Sequence, residues 1–290
     1  MKTKEWLAFI GLSLAWGTSF LWIKIALDEI GPFTLVAFRL LFGLLGLLAV
    51  IAVMRPAWPN NRRSYVVLAV MGLTNVALPF TLISWGEVFI DSAVASILNS
   101  TVPLFTALIA HFVLEGERLD FRRVGGVLLG FIGVVTLMFR GLSANGLEVN
   151  LLGQGAVLLA SIFYAFSSIF ARKNPRGGNP VTQSLVQVFV ADALLWAAVP
   201  VVESPFTLPT LPITWLALAW LGLIGSCIAY LLYFYLLDSA GPTKMVMITY
   251  TFPVTGIILG WLFLNEAINW ELFLGGALVL ASIVIVNRKA

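Results

Sequence analysis

A hydroxyl, amide or indole inside a long apolar run needs a partner, and this 290-residue chain carries many such groups. Its first run holds Ala15-Trp16-Gly17-Thr18-Ser19-Phe20 at the centre, with Trp16 on one helical face with Ser19 or Phe20. Ser92, Ser96, Asn99, Pro103 and Thr106 recur three or four residues apart, the spacing of one helical stripe. Asn75, Pro79, Leu82 and Trp85 form a second stripe, Ser161, Tyr164 and Ser168 a third, and Ser226, Tyr230 and Tyr233 a fourth. Tyr250 and Thr251 precede Pro253 just as Ser100 and Thr101 precede Pro103. In hydrocarbon an unpaired polar group is costly, so these stripes face other helices or a wet cavity. Serving as glue between helices is the plain use of any one of them. Taken together they describe a chamber that stacks on flat or apolar groups and hydrogen-bonds a zwitterion. Its ligand is expected to be small and not polyanionic.

Covalent chemistry has little to build on. A membrane enzyme needs a nucleophile and base, or a metal set, converging on one face. The chain has one cysteine, Cys227, and one histidine, His111, so neither a disulfide within the chain nor a multi-histidine metal site is available. No cofactor and no enzymatic activity are expected. Asp192, in the middle of its apolar run, is the carboxylate that no interfacial position accounts for. It is a candidate proton relay; the alternatives are a structural pair with Arg39 or hydrogen bonds to Gln187 and Ser184. His111, near the end of its run, is an interfacial anchor or a second coupling candidate. Pro79, Pro103 and Pro253 interrupt helices, as pivots or by freeing carbonyls to act as ligands.

The elements that must position these groups follow from composition. With 60% hydrophobic and 11% charged residues, the chain has more apolar surface than a water-soluble core of this length can hide. Mean hydropathy is +0.99. The apolar residues fall into ten runs, at 6–27, 34–54, 65–85, 93–114, 124–139, 151–171, 182–202, 215–236, 245–264 and 271–286. Most are about 20 residues long, the length of a helix that spans a bilayer. The chain is therefore read as an all-α integral membrane protein with the lipid bilayer as a partner. Lys2 and Lys4 precede a run too long for a secretory signal, so that run is kept as the first span.

Orientation follows from the cations, which are retained on the cytoplasmic side. An inside N-terminus places Lys2, Lys4, Arg55, Arg62, Arg63, Arg118, Arg122, Arg123, Arg172, Lys173, Arg176, Lys244, Arg288 and Lys289 there, fourteen of seventeen. Arg140 falls outside, and Lys24 and Arg39, near the outer ends of the first two spans, are expected to snorkel to the interface. Both termini are then cytoplasmic. The pI of about 9.1 reflects this bias, since the basic residues are scattered over several segments; no nucleic-acid partner is implied.

Residue n resembles residue n + 148 to n + 150 along the whole chain. Trp16-Gly17-Thr18-Ser19 meets Tyr164-Ala165-Phe166-Ser167, Lys24 meets Arg172, Gly72-Leu73 meets Gly222-Leu223, Pro103 meets Pro253, and Gly125-Gly126 meets Gly275-Gly276. Five spans per half is an odd number, so the halves, 1–145 and 146–290, enter the membrane from opposite sides. Inverted repeats give two near-equivalent conformations around a site at the midplane. The small-residue face of Gly126 and Gly130 serves packing within the molecule or in a dimer; the oligomeric state stays open, with a monomer as the expected functional unit.

AWGTSFLWIK, then Arg39 within Val36-Ala37-Phe38-Arg39-Leu40-Leu41, then the phrases Leu114-Glu115-Gly116-Glu117 and Leu264-Asn265-Glu266 ending the fourth and ninth spans, each followed by a Gly-Gly helix, resemble the EamA-type members of the drug/metabolite transporter (DMT) superfamily. The likeness covers nearly the whole chain. It implies a secondary transporter in the cell (inner) membrane that exports small neutral metabolites by alternating access, with the fifth and tenth helices peripheral. The branch most similar in character is the YddG-like exporters of aromatic and other neutral amino acids. Carried over by position, the substrate path would be lined by Trp16, Ser19, Asn75, Trp85, Asn99, Thr101, Tyr164, Ser168, Tyr230, Tyr233 and Tyr250. The first span lacks the embedded Glu of small multidrug antiporters, and no cation is expected deep in the chamber, which argues against sugar-phosphate substrates. An uncoupled facilitator or a broad drug/metabolite exporter is the alternative, and coupling to protons is left to Asp192 and His111.

Overall fold

The computed structural model of the chain describes residues 2–115, 117, 119–139, 147–174, 177–241 and 247–287. Ten helices long and apolar enough to cross a membrane run through it: α1 (Thr3–Leu27), α2 (Pro32–Met54), α3 (Arg62–Phe89), α4 (Ser92–Val113), α5 (Phe121–Met138), α6 (Asn150–Lys173), α7 (Pro180–Val202), α8 (Pro212–Leu237), α9 (Met247–Leu264) and α10 (Trp270–Asn287). No strand occurs among the described residues. The expected boundary at 145/146 and six of the charge-bias cations, Arg118, Arg140, Arg176, Lys244, Arg288 and Lys289, lie outside the described residues.

Among the helix contacts are the pairs α5/α10, α3/α6, α2/α7, α4/α9 and α1/α8. Three of these pairs join a helix to its counterpart five spans on, and the other two exchange partners. The glycine face of α5 is used inside the molecule: a Cβ at Gly126 would press on Ile285 and Val286, and one at Gly133 would lie 2.9 Å from the Gly275 carbonyl. Without a hydrophobic force between helices in lipid, such close approach is what generates attraction. It holds α5 and α10 together beside the bundle.

Five helices depart from a regular α-helix where the sequence carries Gly, Thr or Pro. α1 breaks at Thr18, between Thr3–Gly17 and Ser19–Leu27. α4 breaks at Ser100-Thr101, and α9 opens with a 3₁₀ turn, Met247–Tyr250. α3 and α8 carry π-helical stretches at Gly72–Ala77 and Trp220–Ile228, which match across the repeat offset. Pro79, Pro103 and Pro253 each stand in the first turn of the segment that follows such a departure, where a missing N–H costs little.

Candidate functional site

The break in α1 and the close approach of α2 to α8 build the site. A Cβ at Gly17 would sit 2.3 Å from Thr255 Oγ1, so the glycine lets α1 lie against α9. Trp16 donates its indole N–H to the Gly225 carbonyl at 3.1 Å, and the Thr18 hydroxyl accepts from Trp220 at 3.0 Å. Both ties join the broken region of α1 to the π-helical stretch of α8. A Cβ at Gly222 would overlap Phe42 and the Arg39 carbonyl, and one at Gly43 would lie 2.9 Å from Ser226 Cβ. The two helices therefore touch backbone to backbone at this level.

They enclose a central cavity of about 540 Å³. Its wall includes Trp16, Ser19, Asn75, Asn99, Tyr164, Ser168, Tyr230 and Tyr233, together with Phe20, Phe80, Ile83, Gln187 and Phe252. A second void of about 530 Å³ shares Trp16, Ser168, Arg172 and Tyr233 with it and continues past Glu117 and Arg123 to Asn287. The cavity thus opens at the end of the bundle where α10 finishes. Arg172 stands at this mouth in an exposed ion pair with Glu117 at 3.0 Å.

Arg39 corrects the sequence expectation. It does not snorkel: it is 4% exposed and lines the central cavity. Its Nε donates to Ser226 Oγ at 3.3 Å, and its guanidinium carbon lies 3.9 Å from the centroid of the Phe80 ring. Ser226 is free to accept because its own proton goes to the Leu221 carbonyl, five residues back, inside the π-helical stretch. The expectation of a chamber with no deep cation is overturned by the same observation. It failed because position was counted from the ends of the hydropathy run, whereas the bundle buries this turn of α2 between α3 and α8.

Other expected positions lie elsewhere. Trp85 packs edge-on against Phe89 at 4.8 Å, outside the cavity wall. The π-helical stretch adds a residue to its turn, so the inward stripe of α3 runs Met71, Asn75, Phe80, Ile83 and leaves Leu82 and Trp85 off it. Thr101 spends its hydroxyl on the Leu98 carbonyl of its own helix, and Tyr250 donates to the Ile283 carbonyl of α10 at 3.3 Å. Asp192 is 6% exposed and interacts with the Trp196 side chain one turn on, away from the cavity. Neither proposed amide nor hydroxyl partner reaches it: Gln187 donates to Gln183 and Ser184 to Pro180. His111 accepts from the Leu119 backbone N–H at 3.1 Å, holding the turn between α4 and α5. The sequence reading passed over Glu87 because its run ended at 85; α3 continues to Phe89, and the Glu87 side chain is fully buried with both carboxylate oxygens unpartnered.

The opposite end of the bundle is closed by carboxylates on helix N-termini, where free N–H groups favour negative charge. Glu203 accepts from the backbone of Phe33 at 2.7 Å and from the N–H and hydroxyl of Thr34 at 2.8 and 2.6 Å. Glu266 accepts from Ser92 and Ala93 at 2.7 and 3.0 Å. Glu29 accepts from the Thr210 hydroxyl at 2.6 Å and from the Thr210 and Leu211 N–H groups. The Thr210 hydroxyl first, and then the nearby Thr214 hydroxyl, which stops short of hydrogen-bond geometry, hold the Glu29 carboxyl down at about 2. Lys24 adds a fourth tie, donating to the Glu87 and Ile90 carbonyls at the end of α3.

Ten helices long enough to cross a membrane, with a central aromatic-walled cavity that is open at one end and tied shut at the other, are the architecture of a membrane transporter. The chain belongs to the EamA-like transporter family, which it matches twice, over residues 3–139 and 151–288. It is 27% identical to a probable amino-acid metabolite efflux pump of Escherichia coli (strain K12), over 98% of this chain and 95% of that one. It is also 27% identical to a chloroplastic WAT1-related protein of Arabidopsis thaliana, over 98% of this chain and 69% of that protein, and 24% identical to the transporter YoaV of Bacillus subtilis (strain 168), over 97% and 95%. A solved crystal structure of a protein 20% identical to it superposes with a TM-score of 0.67, covering 99% of this chain and 98% of that one, and so shares its fold.

Proposed function

We propose that this EamA-family transporter is a secondary exporter of small neutral metabolites, chiefly aromatic and other neutral amino acids. Both termini would be cytoplasmic, the two five-helix repeats, 1–145 and 146–290, would be inverted in the membrane, and the conformation described here would be the inward-open one. The carrying observation is the central cavity: indole and phenol rings for stacking beside amides and hydroxyls for hydrogen bonds, in about 540 Å³. The name of the Escherichia coli relative, a probable amino-acid metabolite efflux pump, agrees with that chemistry. The distribution of Lys and Arg supports the orientation. Alternating access follows from a path open at one end and closed at the other, with helix breaks level with the cavity as pivots.

Uptake into proteoliposomes by a panel of labelled neutral, aromatic, cationic and phosphorylated metabolites, with and without a pH gradient, tests the reading. Saturable transport of neutral or aromatic amino acids is expected. Trp16→Ala, in the cavity wall, should cut it far more than Trp58→Ala, which is 45% exposed between α2 and α3, at matched expression. Transport of phosphorylated or cationic compounds alone, or equal effects of the two tryptophans, overturns the reading. Gradient dependence that survives Asp192→Asn and His111→Gln removes those residues from coupling.

A further inference from the structure

We infer that Arg39 is the docking point for a carboxylate on the transported molecule, so that the cavity selects monocarboxylates. The inference rests on the proposed transport only in taking this cavity as the substrate site; the carboxylate preference stands on Arg39 itself.

A guanidinium offers five N–H donors, and burying it unpaired is costly. Among the described residues Arg39 has one hydrogen bond, from Nε to Ser226, and the face of Phe80 as its second neighbour. Among those residues the four N–H donors on its two terminal nitrogens have no hydrogen-bond partner, and no carboxylate stands within ion-pair distance. Glu87 is close enough to be felt electrostatically but is unpaired itself, and the nearby Lys24 ammonium goes to backbone carbonyls. The other cation of the cavity wall, Arg172, is already paired with Glu117 at the exposed mouth. Arg39 therefore brings spare forked donors, with no ion pair among the described residues, to the cavity wall, and such a fork binds a carboxylate through two parallel hydrogen bonds.

Two further groups on the same wall lack partners. Asn99 Oδ1 and Ser167 Oγ are buried without a hydrogen bond, on α4 and α6. Both atoms are shut off from the cavity, so a ligand is held through the terminal nitrogens of Arg39 rather than through them. Trp16, Tyr230 and Phe252 offer rings on which the rest of such a carboxylate can lie. One guanidinium balances one carboxylate; a phosphate dianion would bury a second, unmatched charge.

The test measures binding to the full-length purified protein of L-phenylalanine, of its amide, which lacks the carboxylate, and of 3-phenylpropanoate, which lacks the ammonium. Phenylalanine should bind about 10- to 100-fold more tightly than the amide, the worth of a charge-assisted pair. Arg39→Gln should level the two, and Arg39→Lys, which keeps the charge and loses the fork, should retain part of the preference. If Arg39→Gln does not fold, the wild-type ratio and Arg39→Lys still decide. Equal binding of acid and amide by the wild type, or an unchanged ratio in Arg39→Gln, overturns the inference. Amino-acid transport without carboxylate preference would overturn it and leave the proposed function standing. Binding of 3-phenylpropanoate that depends on Arg39, with no amino acid transported, would support the carboxylate site and overturn the proposed function. Failure of every carboxylate to bind sinks the inference outright.

Discussion

Glu29 has its carboxyl held at about 2, first by the Thr210 hydroxyl, against an ordinary value of 4.5. A carboxylate stabilised in the folded state contributes its full share above the unfolded value, and the share is lost as pH falls through the folded one. The tie between Glu29 and the start of α8 is accordingly complete above about pH 4.5 and disappears toward pH 2. An infrared difference titration of the wild type against Glu29→Gln should place the carboxylate midpoint near 2; a midpoint near 4.5 would mean that the tie does not form. One consequence bears on coupling: Glu29 is inert across the range in which membrane pH gradients operate, so a proton acceptor must be sought elsewhere. Residue chemistry of this kind was only partly legible in the sequence. The polar types at helical spacing pointed to Trp16, Asn75, Asn99, Tyr164, Tyr230 and Tyr233, all of which the structure brings to one wall. Arg39 and Glu87 escaped because both stand near the ends of apolar runs, and hydropathy does not distinguish a charge at the lipid headgroups from one enclosed by neighbouring helices.

Within α3 and α8 the π-helical stretches decide which side chains meet the cavity. A regular helix carries the stripe that begins at Asn75 on to Leu82 and Trp85, while the extra residue in the Gly72–Ala77 stretch hands the inner face to Phe80 and Ile83. Single cysteines placed at 80, 82, 83 and 85, in a background with Cys227 replaced, report this directly. Thiol reagents that enter from the open end should label positions 80 and 83, and leave 82 and 85 at least several-fold slower. Labelling at 82 and 85 would restore the regular register and remove Phe80 from its place on Arg39. The ten helices themselves were readable, because run length and the cost of burying bare backbone in lipid leave few other solutions. The phase slip was not, since its signal is a Gly-Leu-Thr-Asn sequence that a straight helix also tolerates.

At the scale of the molecule, three of the ties at the closed end cross from one set of five helices to the other. Glu203 leaves α7 for α2, Glu29 leaves the turn after α1 for α8, and Glu266 leaves α9 for α4. The open end has the exposed Glu117–Arg172 pair, with side chains 39% and 56% accessible, and exposed pairs contribute about 0–1 kcal/mol. Glu266 is 9% exposed, and its two oxygens accept from two helix N–H groups in a site where Gly260 leaves no room for a Cβ. Charge-assisted bonds of this kind are worth about 1.5–3 kcal/mol each, so removing the charge should move a two-state equilibrium by about tenfold or more. If the molecule alternates between two closures, Glu266→Gln should release the end now shut. Spin labels at Val88 and Ile268, both exposed near this end, read the result as distance distributions. A second, longer population is expected in Glu266→Gln and little change in Glu117→Gln, because the buried acceptor outweighs the solvated pair. Identical distributions in wild type and in both Glu266→Gln and Glu266→Ala would show that this carboxylate seals nothing, and the closed end would then have to be attributed to packing between α4 and α9 alone.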